Sequence, residues 1–282
     1  MLNSENLKYH DVKMKKILLA VVALATAMSV NAQKKTVELF VSQGFQGPEC
    51  YEKVVLPIDG KGYMTIFNGE NFDGWRGYGR NKMPSKWVVE DGCIKFDSKK
   101  EGQGGDIIFA HKFKNFELEM EWKIAQGGNS GIFYLAQEVA RADGNALEPI
   151  YISAPECQVL DNENHPDAKL GVDGNRKSTS LHDMIPAKPQ NAKPFGQWNK
   201  VKIRVNNGKV EHFQNGKKVL EYTLWTPEWT ELLQKSKFSE KNWPVAFQLL
   251  NNCGGPNHEG LIGMQDHGDT VWYRNIRVKE LK

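Results

Sequence analysis

Apolar and charged residues alternate without a fault from Phe116 to Ile124, so one face of a strand carries Phe116, Leu118, Met120, Trp122 and Ile124, and the other carries charge. The same period of two returns in Val201–Val205, Lys209–Phe213 and Lys218–Tyr222, with Asn207-Gly208 and Asn215-Gly216 between them. Asn-Gly pairs flanked by alternating residues predict tight hairpin turns, so these three runs read as an antiparallel meander. Trp87–Phe96 divides into two short strands about Asp91-Gly92, and Thr270–Val278 supplies a last strand. Helical period is evident once: Thr226 suits an N-cap, Pro227 the first helical position, Glu228 the positive helix end, and Trp229, Leu232 and Leu233 share a face. The long aperiodic stretches 137–153 and 161–197 are rich in Gly, Asn, Asp and Pro. Loops of that length in a compact domain are usually functional. The pattern predicts an all-β fold: two antiparallel sheets packed face to face, with one short helix.

The longest apolar run lies near the N-terminus. Met14-Lys15-Lys16 precedes Ile17–Ala25, and small residues follow as far as Ala32. That order predicts a secretory signal peptide over 1–32, cut after Ala32, with 1–13 read as an upstream start. The mature protein is therefore expected to be exported, periplasmic or secreted, with no membrane anchor after cleavage. Residues 33–61 read as a leader that contributes a strand packed against the body, and 62–282 as the domain itself.

Of the 282 residues, 40% are hydrophobic and 25% charged, which excludes a disordered chain. Lys and Arg number 37 against 34 acids, and removing 1–32 leaves 33 against 32, a charge of +1. A neutral protein with interspersed charges has no footprint for nucleic acid. Four widely spaced cysteines (Cys50, Cys93, Cys157, Cys253) form no zinc-ligand pattern. Motifs for a nucleophile elbow, a zinc protease, a phosphate loop or a dinucleotide site are absent.

Three stretches carry candidate chemistry. In Gly127–Tyr134, glycines and Asn129 open an apolar strand, which suits either a hairpin turn or the close approach of a ligand. In Pro155–Asn162, Glu156 and Gln158 project from one strand face while Cys157 and Val159 point to the other. A carboxyl held there among aromatics has a raised pKa and serves as acid or base, whereas on an open face it is one more solvated acid. In Leu261–Asp269, Gln265 and His267 share a face if extended, and flanking Asp266 and Asp269 favour a charged imidazole. His165 and His182-Asp183 lie in the long loop without metal-ligand spacing. His212 reads as a satisfied core histidine. Most of the eight tryptophans must be core, but one or two on a wet sheet face could stack on sugar rings, Trp87 among them.

Taken in order, Thr65–Gly69, Gly74-Trp75, Trp87 before Asp91-Gly92, Gly128–Tyr134, the Glu-x-Gln-x-Leu-Asp-Asn run at 156–162, Trp198-Asn199, His212 ahead of Asn215-Gly216, and Gln265–Leu281 resemble the 3-keto-disaccharide hydrolase domain family over about residues 62–282. The resemblance implies a concanavalin A-like jelly-roll sandwich. It also implies a carbohydrate substrate, a glycoside whose sugar carries a ketone at C3. Such a ketone acidifies the C2 hydrogen, so a base can remove it, the C1 substituent can leave, and water can add. On that reading Glu156 or a nearby acid is the base and His267 the acid, with Asp161 a further catalytic candidate. Gln158, Gln265 and Asn129 hold sugar or enolate oxygens, and His165, His182, Asp183 and Trp87 complete the binding candidates. No cofactor and no metal ligand set is implied, although a structural divalent cation such as calcium would suit the 161–183 loops. The chain departs from its relatives at Ser180–Met184, where a Tyr-Asp pair is common. Alternatives at this level are an ordinary two-carboxylate glycosidase and a carbohydrate-binding module without catalysis.

Overall fold

The computed structural model describes residues 35–44 and 51–282; the expected signal peptide and Cys50 lie outside these residues. From Thr36 to Lys282 the chain is one compact unit. Its strands in chain order are β1 (Thr36–Ser42), β2 (Tyr51–Pro57), β3 (Met64–Thr65), β4 (Trp75–Gly77), β5 (Trp87–Glu90), β6 (Cys93–Phe96), β7 (Ile107–Phe113) and β8 (Phe116–Ile124). There follow β9 (Asn129–Ala136), β10 (Glu156–Leu160), β11 (Asn199–Asn206), β12 (Lys209–Gln214) and β13 (Lys217–Thr223). Helices α1 (Pro227–Gln234) and α2 (Pro244–Asn251) precede β14 (Gly260–Met264) and β15 (Val271–Glu280).

The larger sheet runs β13-β12-β11-β8-β15-β6-β5, with β3 paired to β15, and the smaller runs β10-β9-β14-β7-β4. Every pairing is antiparallel, as the hairpin signals required. The alternation of β8 is obeyed residue by residue: Phe116, Leu118, Met120, Trp122 and Ile124 are buried. Each large apolar side chain so buried contributes about 1.5–3 kcal/mol. Its charged face is tied to the neighbouring strands, Glu119 to Arg277 at 2.7 Å and Glu121 to Arg274 at 2.8 Å.

The inner face of the small sheet meets the large one through polar contacts as well as packing. Tyr134 Oη bonds His212 Nε2 at 2.8 Å and also meets the Tyr222 hydroxyl, while Ser130 Oγ bonds Tyr273 Oη at 2.8 Å. His212 is fully buried, its Nδ1 faces the Thr179 carbonyl at 2.9 Å, and burial pushes its pKa down to about 4. It is a neutral core histidine.

Two features go beyond the sequence pattern. The leader is a two-stranded ribbon, β1 with β2, rather than a single strand. Arg76 holds it by donating from Nε to the Ser42 carbonyl at 3.0 Å, while the same guanidinium pairs with Glu138. The second helix, α2, was not expected because it has no side-chain cap: Trp243 occupies the N-cap and Pro244 begins the helix. The expected helix, α1, is capped by Thr226 Oγ1, which accepts the Trp229 N–H at 3.2 Å. Cys93, Cys157 and Cys253 are free and buried, so Cys157 fills the core as a small apolar side chain.

Candidate active site

Strand register determines which residues meet on the outer face of the small sheet. Cys157, Ile132, Met264 and Ile107 lie side by side across β10, β9, β14 and β7, all fully buried toward the large sheet. One step along each strand the side chains must point away. That next row is Gln158, paired with Gly131; Gln265, whose N–H donates to the Gly131 carbonyl at 2.9 Å; and Asp106, at the foot of β7.

Glu156 belongs to the same outer face. A Cβ on Gly131 would run into its carboxyl, so the absent side chain of Gly131 is the space the carboxyl occupies. Glu156 is 7% exposed, and no hydrogen bond joins its carboxyl oxygens to the described residues. Burial pushes its pKa up to about 8; Lys237 pulls it back, and Asp106 and Asp167 raise it further.

Beside this carboxyl runs a chain of side-chain hydrogen bonds with one polarity. Lys237 Nζ donates to His182 Nε2 at 2.8 Å, and His182 Nδ1 donates to Gln158 Oε1 at 2.9 Å. Gln158 Nε2 donates to Asn129 Oδ1 at 2.9 Å, and Asn129 Nδ2 points at His267 Nε2, 3.4 Å away. Each donor fixes the next group's orientation. Burial, with the Lys237 charge, drives the His182 pKa down to about 3, so it is neutral and its proton sits on Nδ1.

The register therefore brings together Glu156, Gln158, Gln265, Asn129, His182 and His267, from four separate stretches of sequence. Other expectations are corrected. Trp87 is core, 3% exposed and edge-on to Phe96, so no sugar can stack on it. Its Nε1 donates to the Gly105 carbonyl at 2.8 Å while the Gly105 N–H donates to Asp266 Oδ2 at 2.7 Å, so it braces the turn before Asp106. Asp161 is 2% exposed and engaged: Oδ2 accepts from Gly127 N at 2.8 Å and Asn164 Nδ2 at 2.7 Å. Burial opposes its ionisation, but these donors hold its pKa below the usual carboxylate value. It staples the 127 turn to the 161 loop. Asp183 accepts from Arg176 Nε at 2.7 Å and from the backbone N–H of Lys237 at 3.1 Å, so it holds the backbone of Lys237 in place.

His165, His267 and Asp269 place ligand-type atoms within 4.8 Å of one another, and these are the residues that could hold a cation. His165 Nδ1, however, accepts the Asp167 N–H at 3.1 Å, which leaves a hydrogen and no lone pair on Nε2. Asp269 Oδ2 accepts the Asn129 N–H at 3.0 Å.

Two participants had no place in the sequence reading: Lys237 and Asp106. Lys237 sits in a lysine-rich surface stretch with no pattern to mark it. Asp106 had a usable signal, since Gly104-Gly105-Asp106 opens an apolar strand as Gly127-Gly128-Asn129 does.

The sequence profile of the 3-keto-α-glucoside-1,2-lyase-like domain matches residues 62–279, which span the sandwich and all of these side chains. The chain belongs to that family. A 3-keto-disaccharide hydrolase of Bacteroides thetaiotaomicron is 69% identical over 238 residues, 82% of each chain. A crystal structure of a candidate glycosyl hydrolase from Parabacteroides distasonis superposes with a TM-score of 0.65 at 29% identity, over 79% of this chain and 95% of that one. A second from the same organism gives 0.53 at 22% identity over 78% and 99%, a likeness of fold. Membership in the 3-keto-α-glucoside-1,2-lyase-like family places the protein among carbohydrate-cleaving enzymes. Among the described residues no helix is long and apolar enough to cross a membrane.

Proposed function

We propose that the protein cleaves glycosides whose sugar carries a ketone at C3, by removal of the C2 hydrogen, elimination of the C1 substituent and addition of water, and that it does so outside the cytoplasm after loss of residues 1–32. The observation that carries this reading is the buried Glu156 carboxyl, set over Gly131 beside a row of amide side chains. Elimination needs a proton donor for the departing oxygen, a base at C2 and hydrogen-bond donors for the enolate oxygen.

Because burial keeps its proton on up to about pH 8, Glu156 enters the cycle at neutral pH as an acid. It therefore protonates the departing oxygen, the reverse of the part first expected for it, and a base at C2 is needed elsewhere. Gln158, Gln265 and Asn129 hold substrate oxygens. His267, exposed at the end of the hydrogen-bond chain, contacts sugar hydroxyls at the rim.

The test is turnover of a 3-keto-glucoside beside the unoxidised glucoside. Release of aglycone from the first alone supports the reading, with Glu156→Gln slowing it roughly 10²–10⁴-fold. Equal turnover of both overturns it in favour of direct hydrolysis by two carboxyl groups.

A further inference from the structure

With Glu156 protonated, the C2 hydrogen needs a different acceptor, and one other carboxyl stands on the same outer row. The register of Met264 with Ile107 sets Asp106 beside Gln265, two strands from Gly131 and the carboxyl that fills its gap. Backbones two strands apart are roughly 10 Å from each other. Asp106 Oδ1 accepts the Asp266 N–H at 2.8 Å, and the Arg80 guanidinium lies against Gly105, the residue before it. Arg80 Nη1 and Gln265 Oε1 are both buried without a hydrogen-bond partner, a donor and an acceptor that a polar ligand would satisfy.

We propose that Asp106 is the base that takes the C2 hydrogen and Glu156 the acid that protonates the departing C1 oxygen, the two exchanging parts when water adds. This rests on the 3-keto-glycoside reading above. In the first half, the Asp106 carboxylate takes the C2 proton and the C2–H electron pair becomes an enolate with charge on the C3 oxygen. That charge then forms the C1–C2 double bond as the C1–O bond breaks, and the Glu156 proton goes to the leaving oxygen. In the second half, the Glu156 carboxylate takes a proton from water as its oxygen bonds C1, and Asp106 returns its proton to C2. Glycoside and water become two hydroxyl products, and both carboxyls are restored.

The surroundings of the two carboxyls agree. Burial raises Asp106 to about 7, but the Asp266 N–H and Arg80 restrain the rise, although the Asp266 charge adds to it. Glu156, facing Lys237, Asp106 and Asp167 and lacking any such N–H, stays protonated to about 8. The donated N–H and the guanidinium favour the Asp106 carboxylate, and its charge helps Glu156 keep a proton. Such a difference in surroundings between neighbouring carboxyls is what separates a base from an acid.

The experiment follows hydrogen exchange at C2 in deuterated water with 3-keto-1,5-anhydroglucitol, which has no C1 substituent to lose, alongside cleavage of nitrophenyl and alkyl 3-keto-glucosides. Asp106→Asn keeps an acceptor for the Asp266 N–H and is expected to lower C2 exchange roughly 10²-fold or more. Glu156→Gln is expected to preserve exchange and to slow the alkyl glucoside far more than the nitrophenyl one, whose leaving oxygen needs no proton. Exchange lost in Glu156→Gln and kept in Asp106→Asn overturns the assignment. If Asp106→Asn does not fold, Asp106→Glu keeps the charge and moves the carboxyl by one methylene. Exchange then falls and its pH midpoint moves, whereas an unchanged rate and midpoint overturn the proposal. A wild-type protein that neither exchanges C2 nor cleaves any 3-keto-glycoside rejects the substrate class, and this assignment with it.

Discussion

Gly131 on β9 and Glu156 on β10 share one volume: the carboxyl lies where the glycine has no side chain. The backbone of Gly131 is not in the left-handed region, so alanine is tolerated there conformationally. Gly131→Ala is therefore expected to act through displacement of the carboxyl. Overpacking costs about 1–3 kcal/mol. Turnover should fall at least tenfold while circular dichroism and cooperative unfolding persist.

The buried carboxyl also opposes folding, and the sign follows from its pKa. Glu156 ionises at about 8 when folded, against its ordinary value of 4.5. Below the lower value both states hold the proton and there is no penalty. Between the two only the unfolded chain releases it, so stability is lost progressively as pH rises, until the loss levels off above pH 8 or so. Glu156→Gln should be more stable than wild type at pH 8, by on the order of a few kcal/mol, and little different at pH 4. Urea unfolding at the two pH values checks this. A gap that closes as pH rises would contradict the burial of the carboxyl.

Lys237 lowers the Glu156 pKa and donates to His182. Lys237→Met removes both effects. The Glu156 midpoint in the pH–rate profile should move upward, with Asp106 and Asp167 left as its charged neighbours. His182, freed of an adjacent charge, should titrate higher in an NMR pH series.

Asp161→Ala separates stapling from chemistry. It leaves the N–H groups of Gly127, Glu163 and Asn164 without their acceptor. A stability loss of about 1–3 kcal/mol is expected, and activity should recover at low temperature, where the fold is intact. Complete loss of turnover in a fully folded variant would restore Asp161 as a proton-transfer group.

The strands, their faces and the partnership of Glu156 with Gln158 were legible in the sequence, because side-chain direction in a strand repeats every two residues and depends on nothing distant. The capping of α1, the Asn-Gly turns and the core roles of Cys157 and His212 were legible for the same reason. Which strands lie side by side, and in what register, is a matter of packing between residues far apart in the chain. Only the tertiary structure could set Asp106 opposite Glu156 across Gln265, or bring Lys237 to His182. It alone showed Trp87 inside and Asp161 spent on backbone N–H groups. Burial decides the chemistry of a carboxyl by removing the water that would solvate its charge, and the burial of Glu156 is built from β9, β10 and the loops that close over them.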